Sequence, residues 1–203
     1  MTQTLTRGMA APGEIRRLWP TERALFTAHL LRLDDETRRN RFGTAVNDAF
    51  LTNYALTTFG VGGLVYAYIE EREVRGAGEL RGLEDIAART GEAAFSVEPG
   101  WRRRGIGEAL LAKLVTASRN RRIHTLYMTC LPGNRAMRQL ARKFEAELVG
   151  GYADVEGAIA PDGPTPFTLL DEAMDTARGF ATLALTVQRR FWPVSLLARA
   201  GRS

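Results

Sequence analysis

Three arginines, Arg102, Arg103 and Arg104, stand directly before two glycines, Gly105 and Gly107. An apolar strand-like run, GEAAFSV from Gly91, precedes them, and a helical run, EALLAKLV from Glu108, follows. Residues of these types in this order can hold an anion. Pro99 has no amide hydrogen to donate and stops the strand. The first turn of a helix carries unpaired N–H groups and the positive end of the helix dipole. Glycines without Cβ atoms let a ligand approach the backbone there. The arginines add attraction for phosphate.

The spacing G-x-G by itself leaves several readings open. A dinucleotide fingerprint would need a third glycine where Leu110 stands, and would follow the first strand of the chain. A P-loop would need Gly-Lys-Ser/Thr after the loop, which is absent. A plain strand-to-helix turn with solvated arginines remains.

The elements that must position these residues follow from pattern. EIRRLW from Glu14 reads as a first strand, and Pro20 opens a helix carrying Leu25, Phe26, Leu30 and Leu31 at near-helical spacing. Two further helices begin near Asp34 or Asp35 and near Asn47 or Asp48, all capping residue types. VGGLVYAYIEE and EVRGAGELRGL read as antiparallel strands, followed by the Glu92 strand with Ala93, Phe95 and Val97 on one face. A helix over 105–120, a buried strand IHTLYMTCL, a helix opened by Asn134 and one or two strands in AELVGGYADVEGAIA come next. Pro161, Pro164 and Pro166 break the chain before a long amphipathic helix. Its stripe of Leu169, Leu170, Ala173, Met174, Ala177, Phe180, Ala181 and Ala184 is expected to pack on the domain or on a second subunit. The order of elements predicts an α/β (α+β) fold: a mixed sheet with helices on both faces.

The chain has 203 residues and 45% hydrophobic content, enough for one sizeable core. Its net charge of +5 comes from 26 arginines and only two lysines, Lys113 and Lys143, spread along the chain. That is read as compositional habit, and no nucleic-acid partner is expected. A single cysteine, Cys130, allows no intrachain disulfide and fits a cytoplasmic protein. The N-terminus lacks an apolar signal region, and no uncharged run is long enough for a membrane span. His29 and His124 have no partners at ligand spacing, so no metal is expected. The tail around Trp192 reads as docked or partly disordered.

In this context, R-x-x-G-x-G at Arg102–Gly107 strongly resembles motif A of the GNAT superfamily of N-acyltransferases. LYMTCLPGNRAMRQLARKF is similar to the family's next strand and helix. The match is good over Gly91–Phe144 and weaker from Glu14 to Ala158. HLLRLDDETRRNRF also resembles the N-terminal region of bacterial members, including protein-lysine acyltransferases.

The resemblance implies a mostly antiparallel sheet with one parallel, splayed strand pair. It implies an acetyl-CoA-binding domain over residues 1–160 and a helical extension over 161–203, in a monomer or homodimer. Acetyl-CoA would contact Phe95, Ser96, Val97, Arg102, Arg103, Arg104, Gly105, Ile106, Gly107 and Asn134. The acceptor would be a primary amine, of a small molecule or a protein lysine, attacking directly in a ternary complex. Glu92 is the candidate general base, against the alternative of a solvated strand-end residue. Glu79 is second, against the alternative of an exposed edge carboxylate. Asp34, Asp35 and Glu36 hint at a cationic acceptor.

The chain departs from the family at one place. Seven residues after Asn134, where a tyrosine often serves as acid, stands Ala141. A thiol of pKa about 8.5 leaves tolerably without an acid, so the loss is expected to slow catalysis only modestly. Tyr127 and Cys130, close by in sequence, are read as packing residues. The rival function is a catalytically weak acyl-CoA-binding module used for sensing.

Overall fold

The computed structural model describes residues 13–60, 63–82, 87, 89–150 and 154–191 and, in the last helix, side chains through 178 and at 180. The Trp192 tail lies outside the described residues. The chain runs β1 (Glu14–Leu18), α1 (Arg23–Arg32), α2 (Asp35–Phe42), α3 (Asp48–Thr58), β2 (Leu64–Glu70), β3 (Glu73–Arg81), β4 (Thr90–Val97), α4 (Ile106–Asn120), β5 (Thr125–Cys130), α5 (Arg135–Lys143), β6 (Glu147–Gly150), β7 (Val155–Ile159) and α6 (Pro166–Phe191). Local chemistry sets the helix ends. Asp34 caps α2 by accepting from the Thr37 amide at 2.8 Å, and Asn47 caps α3 through Phe50 at 2.8 Å. Asn134 caps α5 through Met137 at 3.1 Å.

The seven strands form one sheet in the order β1-β2-β3-β4-β5-β7-β6. Every neighbouring pair is antiparallel except β4–β5, which is parallel. This is the mixed, mostly antiparallel sheet expected, with helices on both faces. β2 shows why both faces are covered. Leu64, Tyr66 and Tyr68 point into a core with Leu110, Leu111 and Leu114 of α4. Val65 and Ala67 point the other way, into a core with Phe26 and Leu30 of α1 and Leu51 of α3. Each such buried side chain contributes roughly 1.5–3 kcal/mol.

Close approach of α4 to the sheet requires glycine in β3. A Cβ at Gly76 would stand 3.0 Å from Ile106 Cγ2, and one at Gly78 would stand 3.3 Å from Leu110 Cβ. These two positions set the first turn of α4 down beside the end of β4.

The last helix meets the domain through α4 and β1. Lys113 of α4 reaches Asp171 at 3.0 Å and Asp175 at 2.7 Å, while Arg121 reaches Glu172 at 2.8 Å. Phe180 stacks on Trp19 at 4.5 Å. Of the apolar stripe, Leu169, Leu170 and Met174 are exposed, while Phe180 meets Trp19. The polar side of α6 grips the domain where α4 and its end offer Lys113 and Arg121. Asp175 is only 2% exposed, with Lys113 at 2.7 Å and Arg178 at 4.0 Å as its cations. Replacing Lys113 by Ala removes the nearer cation, and the expected loss is about 3 kcal/mol. Chemical denaturation should report this loss, and amide exchange should speed up along α6.

Candidate active site

β4 pairs with β3 along its length, from Gly76↔Val97 to Arg81↔Glu92. It pairs with β5 only over Thr90↔Thr125, Gly91↔Leu126 and Glu92↔Tyr127. Beyond Glu92 the two strands part. The β5-facing edge of β4 from Ala93 to Val97 is thus left without a strand partner, a template for an extended, amide-bearing ligand.

At the far end of that edge the chain makes a turn, Pro99–Trp101, and then a loop of alternating hand. Arg102 is extended, Arg103 has φ +61°, and Gly105 has φ +78°. The helix begins at Ile106 with no side-chain cap, unlike α2, α3 and α5. The first amide with a helical partner is that of Ala109, bonded to Gly105 O at 3.0 Å. Among the described residues, no acceptor serves the amides of Ile106, Gly107 and Glu108. A Cβ at Gly105 would meet nothing within 4 Å, and one at Gly107 only Leu140 Cδ2 at 3.8 Å. Packing inside the chain therefore does not require glycine at 107. The open, uncapped helix end fits a phosphate group approaching the backbone.

The predicted cofactor residues divide. Phe95 and Val97 lie on the α4 face of β4 with their backbone at the parted edge. Arg102 is tied elsewhere: its guanidinium bonds Thr37 Oγ1 and lies 3.4 Å from Asp34 Oδ1. Arg104 sits over Trp101 at 5.6 Å, and Arg103 is exposed. Ser96 turns away from the cleft. It is buried and lies 2.9 Å from His29 Nε2.

That contact opens a buried network that sequence reasoning missed. His29 Nδ1 donates to Glu98 at 3.1 Å, so Nε2 accepts from the Ser96 hydroxyl. Arg32 at 3.0 Å and Arg75 at 3.1 Å also donate to Glu98. Burial disfavours ionisation of Glu98, but the bonds from His29 and Arg75 and the charge of Arg32 outweigh it and hold its pKa below the ordinary value. Although Ser96, His29 and Glu98 are ordered like a nucleophilic triad, Ser96 is only 3% exposed and meets no substrate. The network fixes the end of β4 beneath the phosphate loop.

On the other side of the parted strands lies a cavity of about 640 Å³, walled by Arg41, Tyr54, Arg81, Glu92, Cys130 and Asn134, among others. Glu92 is half-buried at the point where the strands part, and among the described residues it has no hydrogen bond or ion pair. Glu79 is a different case from the edge carboxylate considered for it. β3 is an interior strand, and Glu79 is fully buried, accepting from Arg41 at 2.7 Å and from the Tyr54 hydroxyl at 2.5 Å. Burial alone would weaken the charge on Arg41, but Glu79 and Tyr54 overcome this and keep it protonated. Burial, reinforced by Glu79, pushes the Tyr54 hydroxyl well above its usual range.

Two other expectations change. Cys130 lines the cavity, where burial raises its thiol pKa against a smaller opposing effect of Arg138. A protonated thiol is a poor nucleophile. Ala141 is buried in the core, 3.6 Å from where a Cβ on Gly157 would lie, so a tyrosine there would overpack α5 against β7. The cavity-facing residues of α5 and its cap are Met137 and Asn134. Asp34, Asp35 and Glu36 do not line the cavity; Asp34 caps α2 and meets Arg102.

Residues 27–145 match the family described as Acetyltransferase (GNAT) family. The chain belongs to the GNAT acetyltransferase family. No curated protein matches it by sequence. Solved GNAT structures share its fold at low identity. The GNAT domain of S. lividans PAT superposes with TM-score 0.63 at 17% identity, over 73% of this chain and 90% of that one. An N-acetyltransferase from Staphylococcus aureus Mu50 gives 0.62 at 16%, over 75% and 100%. A phosphinothricin acetyltransferase from Sinorhizobium meliloti, solved in complex with AcCoA, gives 0.59 at 19%, over 77% and 95%. Among the described residues no helix is long and apolar enough to cross a membrane, and no group of three or more potential ligands could hold a metal ion.

The Glu98 network yields a pH-dependent prediction. A carboxylate whose pKa is lowered by folding stabilises the protein fully above its unfolded value, here 4.5, and loses that contribution as pH falls through the folded value. Glu98→Gln should therefore cost about 2–3 kcal/mol at neutral pH. Denaturation curves of variant and wild type should converge under acid conditions.

Proposed function

We propose that this GNAT protein is an acetyl-CoA-dependent N-acetyltransferase that acts on a primary amine by direct attack, with Glu92 as general base. One observation carries the reading. The gap between β4 and β5 has an uncapped helix end at one extremity and an unpaired, half-buried carboxylate at the other. A long acyl donor with a phosphate end and an amide-bearing arm suits that arrangement.

The residues present fit such a donor. The amides of Ile106, Gly107 and Glu108 would hold its pyrophosphate, with Arg103 and Arg104 free to add charge. Backbone groups of Phe95 and Val97 would pair with its arm, and Asn134 lies within reach on the cavity wall. Bound there, the thioester supplies an activated acyl carbon and a thiolate leaving group. The chain's task is the proton. A primary amine of lysine-like pKa, about 10.4, arrives as ammonium and cannot attack. Glu92 faces the cavity at the point where the strands part, and takes that proton directly or through water. The amine nitrogen then forms its bond to the acyl carbon as the carbon–sulfur bond breaks. On becoming an amide the nitrogen sheds its second proton, which passes to the departing thiolate directly or through water. Cys130, held protonated, does not compete as a nucleophile.

Three measurements test this reading. Acetyl-CoA should raise the melting temperature, and Gly107→Glu should remove that shift by setting a carboxylate against the pyrophosphate. Glu92→Gln should lower kcat/KM about 100-fold while leaving acetyl-CoA affinity nearly unchanged. The variant should recover partly at high pH, where free amine is present. Wild-type rates for Glu92→Gln across pH would exclude Glu92. Acetyl-CoA binding without thiol release over any amine would favour the acyl-CoA-binding module instead.

A further inference from the structure

The cavity beside Glu92 carries more cationic donor capacity than its own wall consumes. Arg81 of β3 lies directly across from Glu92 of β4, so their side chains leave the same face of the sheet. Directly opposed Cβ atoms stand about 5 Å apart. Yet among the described residues Arg81, which is exposed, forms no ion pair or hydrogen bond; its guanidinium carbon lies over the Tyr54 ring at 5.3 Å. Arg41, one helix away, spends Nη2 on Glu79 and Tyr54, and its side chain is only 6% exposed. Its Nε is buried with no partner. An orphaned, buried, charged donor is costly unless something accepts from it.

Carboxylates stand beside Arg81. Glu92, next to it on the same face of the sheet, has no hydrogen bond or ion pair among the described residues, and Asp154, before β7, adds a second carboxylate to the lining. The cavity therefore offers acceptors for an ammonium and, one strand away, a planar guanidinium. A guanidinium fork matches a carboxylate through two parallel bonds. The ammonium-and-stem of a protein lysine would use only the carboxylates.

We infer that the acceptor is a free amino acid, its amine directed to Glu92 and its carboxylate to Arg81. The inference rests on the acetyl-transfer reading for the reaction but concerns recognition, and it can be measured apart from turnover. Glu79 and Tyr54 act here as positioning residues: they hold Arg41 charged and give Arg81 its platform.

The test is calorimetric titration of the CoA-loaded protein with the standard amino acids, their carboxamides, and an end-blocked peptide containing lysine. At least one free amino acid should bind about tenfold or more tightly than its carboxamide, since the amide removes only the negative charge. Arg81→Gln should bring that ratio to within about threefold of unity, while CoA still raises the variant's melting temperature. Equal binding of acid and amide, a preference untouched by Arg81→Gln, tighter binding of the peptide, or no binding by any free amino acid would each overturn the inference. Acetyl transfer is scored in parallel. Transfer without acid preference removes the inference and leaves the enzyme; acid preference without transfer removes the enzyme and leaves the recognition.

Discussion

β4 and β5 stay together for three residue pairs and then separate, and the rest of the molecule is arranged around that separation. β4 follows β3 over Glu92–Val97, and β5 follows β7 over Leu126–Cys130. The sheet is thus two antiparallel halves, β1-β2-β3-β4 and β5-β7-β6, hinged at Thr90–Glu92. Each half satisfies its own backbone groups, so the gap leaves only the two inner edges to be paired from outside. An unpaired edge within a folded domain is costly and invites a strand-like guest. A bound acyl donor turns that liability into affinity.

The gap keeps its shape because charged groups brace β4 and its neighbour from the N-terminal helix face. Glu98 is bonded by His29, Arg32 and Arg75, and Glu79 by Arg41 and Tyr54. Buried ion pairs add little net stability, since desolvation consumes most of their attraction. What they do impose is geometry: each carboxylate is satisfied only if α1, α2 or α3 stands at one height on the sheet. Glu92 shows the contrast. It lies on the same face of β4 as Glu98, yet has no such bonds, as its proposed part in exchanging protons with a guest would require.

The site's backbone frame was legible in sequence because it is local. R-x-x-G-x-G between a strand and a helix specifies an open helix end whatever else the chain does, and the caps Asp34, Asn47 and Asn134 mark helix starts by their own side chains. The polar braces were not legible, because their partners lie far apart: His29 and Glu98 are 69 positions apart, and Arg41 and Glu79 are 38. Alternation along β4 placed Ser96 and Glu98 opposite the Phe95–Val97 face, but nothing local named their partners. Strand order cannot be read from strand pattern, so nothing local marks Glu79 as lying on an interior strand. The side on which α6 meets the domain was not legible for a related reason. Periodicity identifies an amphipathic helix, but three ion pairs from Lys113 and Arg121 decide which side it lays down.

Helix α2 belongs to both ends of the cleft. Its cap, Asp34, and its first-turn Thr37 grip Arg102 of the Arg102–Gly107 loop, while Arg41, in its last turn, lines the cavity beside Glu92. The span between them is about 10 Å of rigid helix. On the proposed reading, donor and acceptor subsites would share a strut and would not be separate modules. A substitution along α2 would then shift kinetic constants for both substrates together, and engineering a new acceptor preference there would carry a change in donor affinity with it. Specificity would be more independently adjustable from β3, where Arg81 lines the cavity.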